Sequence, residues 1–214
     1  MTRPLTEAVD HLLIGASSLE AGVSWLEERT GIRAAPGGSH PGLGTWNALA
    51  SLGPGRYIEI IAPDPSQKDV PTFYIPGLRE FETPRLATWA AKDEQLTTLS
   101  HRLEAPMGAV GSRSGSRVRP DGQRLQWTLA FPSHRDHGAF DGLLPFLIEW
   151  ESEETHPSLS TPPGLSLASL TIEHPLAASL EAALGRLGIE ATVTEAKTPR
   201  LGATIETPRG VVRL

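Results

Sequence analysis

Short apolar runs punctuated by Pro and Gly alternate with helical stretches along this chain. Residues 8–18, AVDHLLIGASS, read as a strand, and Ser17 or Ser18 can cap the next helix by accepting a backbone N–H. LEAGVSWLEERTG then sets Leu19, Val23 and Leu26 on one helical face, with Gly31 as the stop. TWNALASLG (45–53) and RYIEIIAPD (56–64), joined by Pro54-Gly55, read as a hairpin. The order returns in RLATWAAK (85–92), where Asp93 can cap a helix carrying Leu96, Leu99 and Leu103. GQRLQWTLAFP (122–132) and GLLPFLIEWES (142–152) follow. A third pass opens at SLASLTIEHP (166–175), with Leu176, Leu180, Leu184 and Leu187 on a helix ending at Gly188 and short strands beyond it.

Three such passes, spaced by roughly 75 to 80 residues, are an internal repeat. One helix covers one face of each small sheet, so the other face must be buried or must curve round a cavity. The pattern predicts α+β architecture. Residues 1–164 read as paired βαβββ modules, and 165–214 as a third, shorter βαββ-like unit packed on the same body. The Pro-rich stretches 63–77 and 151–164 read as connections between modules. Neither a G-x-G-x-x-G after a strand nor a phosphate-cradling G-x-x-x-x-G-K occurs.

Composition narrows the function classes. Hydrophobic residues make up 39% of the 214 and charged residues 21%, a balance that supports a core without staples. The net charge of −6 argues against nucleic acid and anionic lipid as partners. Cysteine is absent, which removes disulfides, thiolate nucleophiles and Cys–metal sites. No run approaches the length of a membrane span or a signal core, so a cytoplasmic location and no membrane partner are expected.

DHLLIGASSLEAGVSWLEERTGI with GRYIEIIAPD resembles the first module of the vicinal-oxygen-chelate (VOC) superfamily, which includes glyoxalase I and the extradiol dioxygenases. GGSHPGLGTWNALASLG, SRVRPDGQRLQWTLAFP and PFLIEWESEETHP resemble, more narrowly, the glyoxalase-like domain group within it. The resemblance covers about residues 7–160. It implies a curved, mixed half-barrel whose metal ligands come from the first and last strands of each module. Those slots fall on His11, Glu59 and Glu149, while Leu86 takes the fourth. The implied ligand set is therefore three residues with open positions.

The residues support part of this independently. Alternation sets Tyr57, Glu59 and Ile61 on one face, and Leu147 with Glu149 on another. A carboxylate in an apolar strand is costly to bury unless paired, protonated or bound to a cation. One His and two carboxylates suit Fe(II), Mn(II), Ni(II) or Zn(II); a metal-free polar pocket explains the same residues, so the expected cofactor is a divalent metal or none. His40 is a candidate acid/base or substrate contact, with Asn47 beside it offering an amide. The alternative is that both brace a Gly-rich loop. Arg117 and Arg119 are candidate anion contacts, with Arg113 read as a solvated tip. Trp127 is a candidate substrate contact, though packing explains such a residue more often. His134 and His137 read as exposed, and His174 as structural.

Two functions stay open at this point. One is a metal-dependent lyase, isomerase or dioxygenase acting on a small molecule, with Glu59 and His40 catalytic. The other is a metal-free protein that binds or sequesters a small molecule. A homodimer through exposed C-terminal edge strands is a further expectation.

Overall fold

The computed structural model describes residues 2–72, 75, 77–93, 96, 112–118, 122, 124–131 and 138–214. The chain divides into two compact units, each assembled from three separated segments. One comprises Met1–Asp10, Thr88–Thr155 and Ser169–Gly202; the other comprises His11–Ala87, His156–Ala168 and Ala203–Leu214.

The first module opens with β1 (Arg3–Pro4), a helical turn α1 (Leu5–Ala8) and β2 (Val9–Gly15). Helix α2 (Leu19–Thr30) follows, then β3 (Ala35–His40), β4 (Thr45–Ser51) and β5 (Tyr57–Pro63). The strands lie in the order β3-β4-β5-β2. β5 is antiparallel to β4 and parallel to β2. The expected caps are in place: Ser18 accepts from the Ala21 N–H, and the Gly31 N–H bonds the Glu27 carbonyl at φ 78°. That left-handed conformation costs an L-residue about 1–2 kcal/mol. A Cβ on Gly31 also meets the Arg209 Nε at 2.8 Å. Gly31→Ala is therefore expected to lower stability by about 1–2 kcal/mol, seen as a Tm fall of about 3–6 °C in a calorimetric scan.

Residues 35–40 are a strand, where one reading of the sequence was a Gly-rich loop braced by His40 and Asn47. Among the described residues β3 pairs with β4 at the edge of its sheet, and an edge strand tolerates Pro36 and a register shift between Pro36 and Gly38. β7 (Ser112–Val118) is the same surprise in the second module. It pairs along its whole length with β8 (Arg124–Ala130), despite its Ser, Gly and Arg content. With β6 (Arg85–Lys92) and β9 (Phe146–Trp150) these give the order β6-β9-β8-β7, matching the first module strand for strand. Of the helix expected after Asp93, only Leu96 is among the described residues, and it is buried.

The C-terminal segment carries β10 (Ser166–His174), α3 (Ala177–Arg186), β11 (Ile189–Glu190), β12 (Val193–Glu195), β13 (Arg200–Thr207) and β14 (Gly210–Arg213). β12 runs parallel to β10, and β13 with β14 is a hairpin. On α3, Leu180, Ala183 and Leu184 are buried, whereas Leu176, expected on that face, sits before the first turn and is exposed. No helix among the described residues is long and apolar enough to cross a membrane.

Strand register in the His11–Ala87 segment sorts the side chains into two faces. Helix α2 covers the face of Ile58 and Ile60, so closely that a Cβ on Gly22 falls 2.4 Å from the Ile60 Cγ2. The opposite face carries the polar residues.

Candidate functional site

Residues directly opposite in adjacent strands share a face. His11 stands opposite Tyr57, and Leu13 opposite Glu59. Glu59 stands opposite Leu49, and Asn47 opposite Ile61. Asn47 in turn faces Gly38, and Thr45 faces His40. His11, Tyr57, Glu59, Asn47, Thr45 and His40 therefore project from one face, away from α2. Leu78 and Phe81 pack over Gly15 at one end of that face, which closes it with apolar side chains.

Glu59 is the centre of the group. Its Oε2 lies 3.3 Å from the His11 Nε2, and its Oε1 accepts from the Asn47 Nδ2 at 2.7 Å. The His40 Nε2 lies 3.7 Å from the same Oε1, close enough for charge attraction but long for a hydrogen bond. Burial pushes the Glu59 pKa up and is the largest single influence on it. The His11 hydrogen bond and charge, the His40 charge and the Asn47 amide together outweigh it, lowering the pKa to about 2. The carboxylate is thus ionised at neutral pH while almost fully removed from water. A lone buried carboxylate would cost several kcal/mol; the three partners offset that cost.

The imidazoles are held differently. His11 is stacked on the Tyr57 ring, centroids 4.5 Å apart, and Tyr57 meets the edge of His156 at 5.6 Å. His156 is buried, and its Nδ1 accepts the Ser158 backbone N–H at 3.2 Å, capping a short 3₁₀ turn at Pro157–Leu159. His40 has its Nδ1 2.9 Å from the Thr45 hydroxyl. The His40 side chain is 15% exposed, against 3% for His11, so His40 is the imidazole that a solute can meet.

A polar latch fixes the strand end that carries His40. The Ser39 hydroxyl donates to the Asp64 carboxylate, whose other oxygen accepts from the Ser66 N–H and hydroxyl. The Gln67 amide reaches both the Asp64 carboxylate (2.8 Å) and the His40 carbonyl (3.1 Å). The Ser39 hydroxyl first, then the Ser66 hydroxyl, hold the Asp64 carboxyl well below the usual carboxylate range despite burial. Sequence reading passed over Thr45, Tyr57, His156 and this latch as parts of a site. The His-Pro-Ser run was a legible capping signal for His156.

β6 pairs with β9 in parallel, Ala90 opposite Phe146 and Lys92 opposite Ile148, so Glu149 shares a face of β9 with Leu147, and across β8 it stands opposite Thr128. Arg117 and Trp127 lie on β7 and β8, while Arg119, His134 and His137 fall outside the described residues.

Among the described residues no group of three or more His, Cys, Asp or Glu is arranged to hold a metal ion. The Asn47 N–H and the His11 ring already engage one oxygen each of Glu59.

The model of the glyoxalase-like domain family matches residues 9–188. The chain belongs to that family. That family and the α+β fold of βαβββ modules with mixed sheets are as the sequence suggested. Among solved structures, a hypothetical protein from Staphylococcus aureus is similar over 96% of this chain and 97% of its own, with 13% identity and a TM-score of 0.68. Methylmalonyl-CoA epimerase from Mycobacterium tuberculosis is similar over 72% of this chain and 95% of its own (20% identity, TM-score 0.45). A Streptomyces coelicolor methylmalonyl-CoA epimerase variant in complex with 2-nitronate-propionyl-CoA is similar over 69% and 99%, respectively (13% identity, TM-score 0.44). These likenesses concern the fold. No curated protein matches the sequence.

Proposed function

We propose that this glyoxalase-like protein binds a small molecule against the Glu59 face and that His40 exchanges a proton with it. The observation that carries the reading is the buried, ionised Glu59 set against two imidazoles and an amide. A fixed negative charge favours the protonated form of a nearby imidazole, so His40 can take up a proton and hold it while the substrate rearranges. Glu59 itself, with its pKa lowered to about 2, is a weak base and serves as the orienting charge. Asn47 holds one carboxylate oxygen, and His11, clamped between Glu59 and Tyr57, holds the other. The reaction class that suits this set is proton transfer at carbon beside a carbonyl, the chemistry of an isomerase or lyase. The sequence left a divalent metal or none as the cofactor, and no step of this reading is routed through a metal.

Hydrogen–deuterium exchange tests the reading. Carbonyl compounds with acidic α-C–H groups, incubated with the full chain in D₂O, are expected to lose their α-proton signals in ¹H NMR faster than without protein. His40→Gln is expected to slow this about 100-fold or more, the scale of general acid–base catalysis. Unchanged exchange in that variant removes His40 from the mechanism. A second reading, a binder without turnover, is favoured by one feature: both Glu59 oxygens are already engaged by the protein's own groups. It predicts a ligand-dependent rise in Tm with no exchange.

A further inference from the structure

We propose that β7 and β8 carry a binding plate for planar aromatic anions, made of Trp127 flanked by Arg113 and Arg117. The register places Arg113 opposite Leu129, Gly115 opposite Trp127 and Arg117 opposite Leu125, so these six residues share one face. The indole of Trp127 lies across β7 at Gly115. A Cβ there falls 2.6 Å from both Cε2 and Nε1 of the ring and 2.8 Å from Cζ2. Glycine inside a strand weakens it and marks a place where something approaches the backbone closely; here that is the indole.

A second indole fixes the first. Trp150 is the cross-strand neighbour of Trp127 on β9, with ring centroids 5.6 Å apart and planes at 57°. Its Nε1 donates to the Asp10 carboxylate at 3.1 Å, which locks its ring. The arginines stand two residues either side of Gly115, about 6.7 Å along the strand at the usual rise. Arg113 is exposed and Arg117 half-buried, and both side chains are long enough to reach the edge of the plate. The nearest strand carboxylate, Glu149, projects from the opposite face.

A flat ring stacks on an indole, and a guanidinium fork takes a carboxylate or phosphate through paired N–H donors. Each guanidinium carries five donors, so it can keep a protein partner and still accept an anion. The ligand class is therefore a compact aromatic ring bearing one anionic group, attached directly or through one atom. This inference stands on the β7–β9 register and is independent of the Glu59 cluster.

Isothermal titration of the full chain with 2-naphthoate, 2-naphthyl phosphate and neutral 2-naphthol tests it. The two anions are expected to bind, with 2-naphthol at least tenfold weaker; whichever anion binds more tightly identifies the charged group preferred. Arg117→Gln and Trp127→Leu are each expected to weaken the better anion at least tenfold. Gly115→Ala, which removes no ligand-binding group but displaces the indole, is expected to weaken it at least fivefold. If Trp127→Leu does not fold, Arg117→Gln at its half-buried position carries the test. Equal affinity for 2-naphthol, no heat with either anion, or wild-type affinity in both Gly115→Ala and Arg117→Gln overturns the proposal.

Discussion

Glu59→Gln is expected to lower folding stability at pH 7 by about 2–3 kcal/mol, read from urea denaturation midpoints. The Gln carbonyl can face either Asn47 or His11, and its NH₂ must then face the other. Toward Asn47 that opposes two donors unless the Asn47 amide turns over and gives up its present contacts. Toward His11 it opposes the Nε2–H unless the ring gives up that proton. A buried donor left without an acceptor costs about 1–3 kcal/mol, and the ion pair is lost as well. The pH dependence has a definite sign. Folding lowers the Glu59 pKa from an ordinary 4.5 to about 2, so the unfolded chain binds the proton more readily. The stabilisation is fully present above pH 4.5 and is lost as pH falls through the window down to about 2. The stability gap between wild type and variant is expected to be widest near neutrality and to narrow below pH 4.5. A gap independent of pH contradicts the assignment.

Gly22→Ala is expected to destabilise the protein by about 1–2 kcal/mol, although alanine is the better helix former. Replacing a mid-helix glycine normally gains about 0.5–1 kcal/mol. Here the new methyl lands 2.4 Å from the Ile60 Cγ2 and 3.1 Å from the Ala16 Cβ. Ile60 is a fully buried, β-branched side chain on the central strand β5 and cannot swing aside. Overpacking of this kind costs about 1–3 kcal/mol and grows with size, so Gly22→Val is expected to lose about 3 kcal/mol. Chemical denaturation of the pair checks both. A more stable Gly22→Ala shows that α2 can lift off the sheet at no cost.

The features legible in the sequence were those governed by neighbouring residues. Ser18 and Gly31 announced the ends of α2 because capping needs only local hydrogen bonds and a left-handed φ. Tyr57, Glu59 and Ile61 were placed together because strand alternation has a period of two. β3 and β7 escaped because Pro, Gly and Ser argue for loops, whereas an edge strand needs a partner on one side only. The Glu59 cluster was half visible. His11 and Glu59 could be matched through the module pattern, but Asn47 meets Glu59 diagonally across β4 and β5, a contact set by register.

The threading of the chain through its two units bears on how the protein is made. Residues 203–214 cluster with residues 11–87 and 156–168, so that unit is assembled from segments far apart in the sequence. Neither unit is a continuous piece of chain, and both need pairings between residues far apart in sequence. Loop closure must then precede most of the gain from packing, which slows folding. Until those pairings form, apolar strands such as β2 and β5 stay exposed, and that interval is when the chain depends most on chaperones.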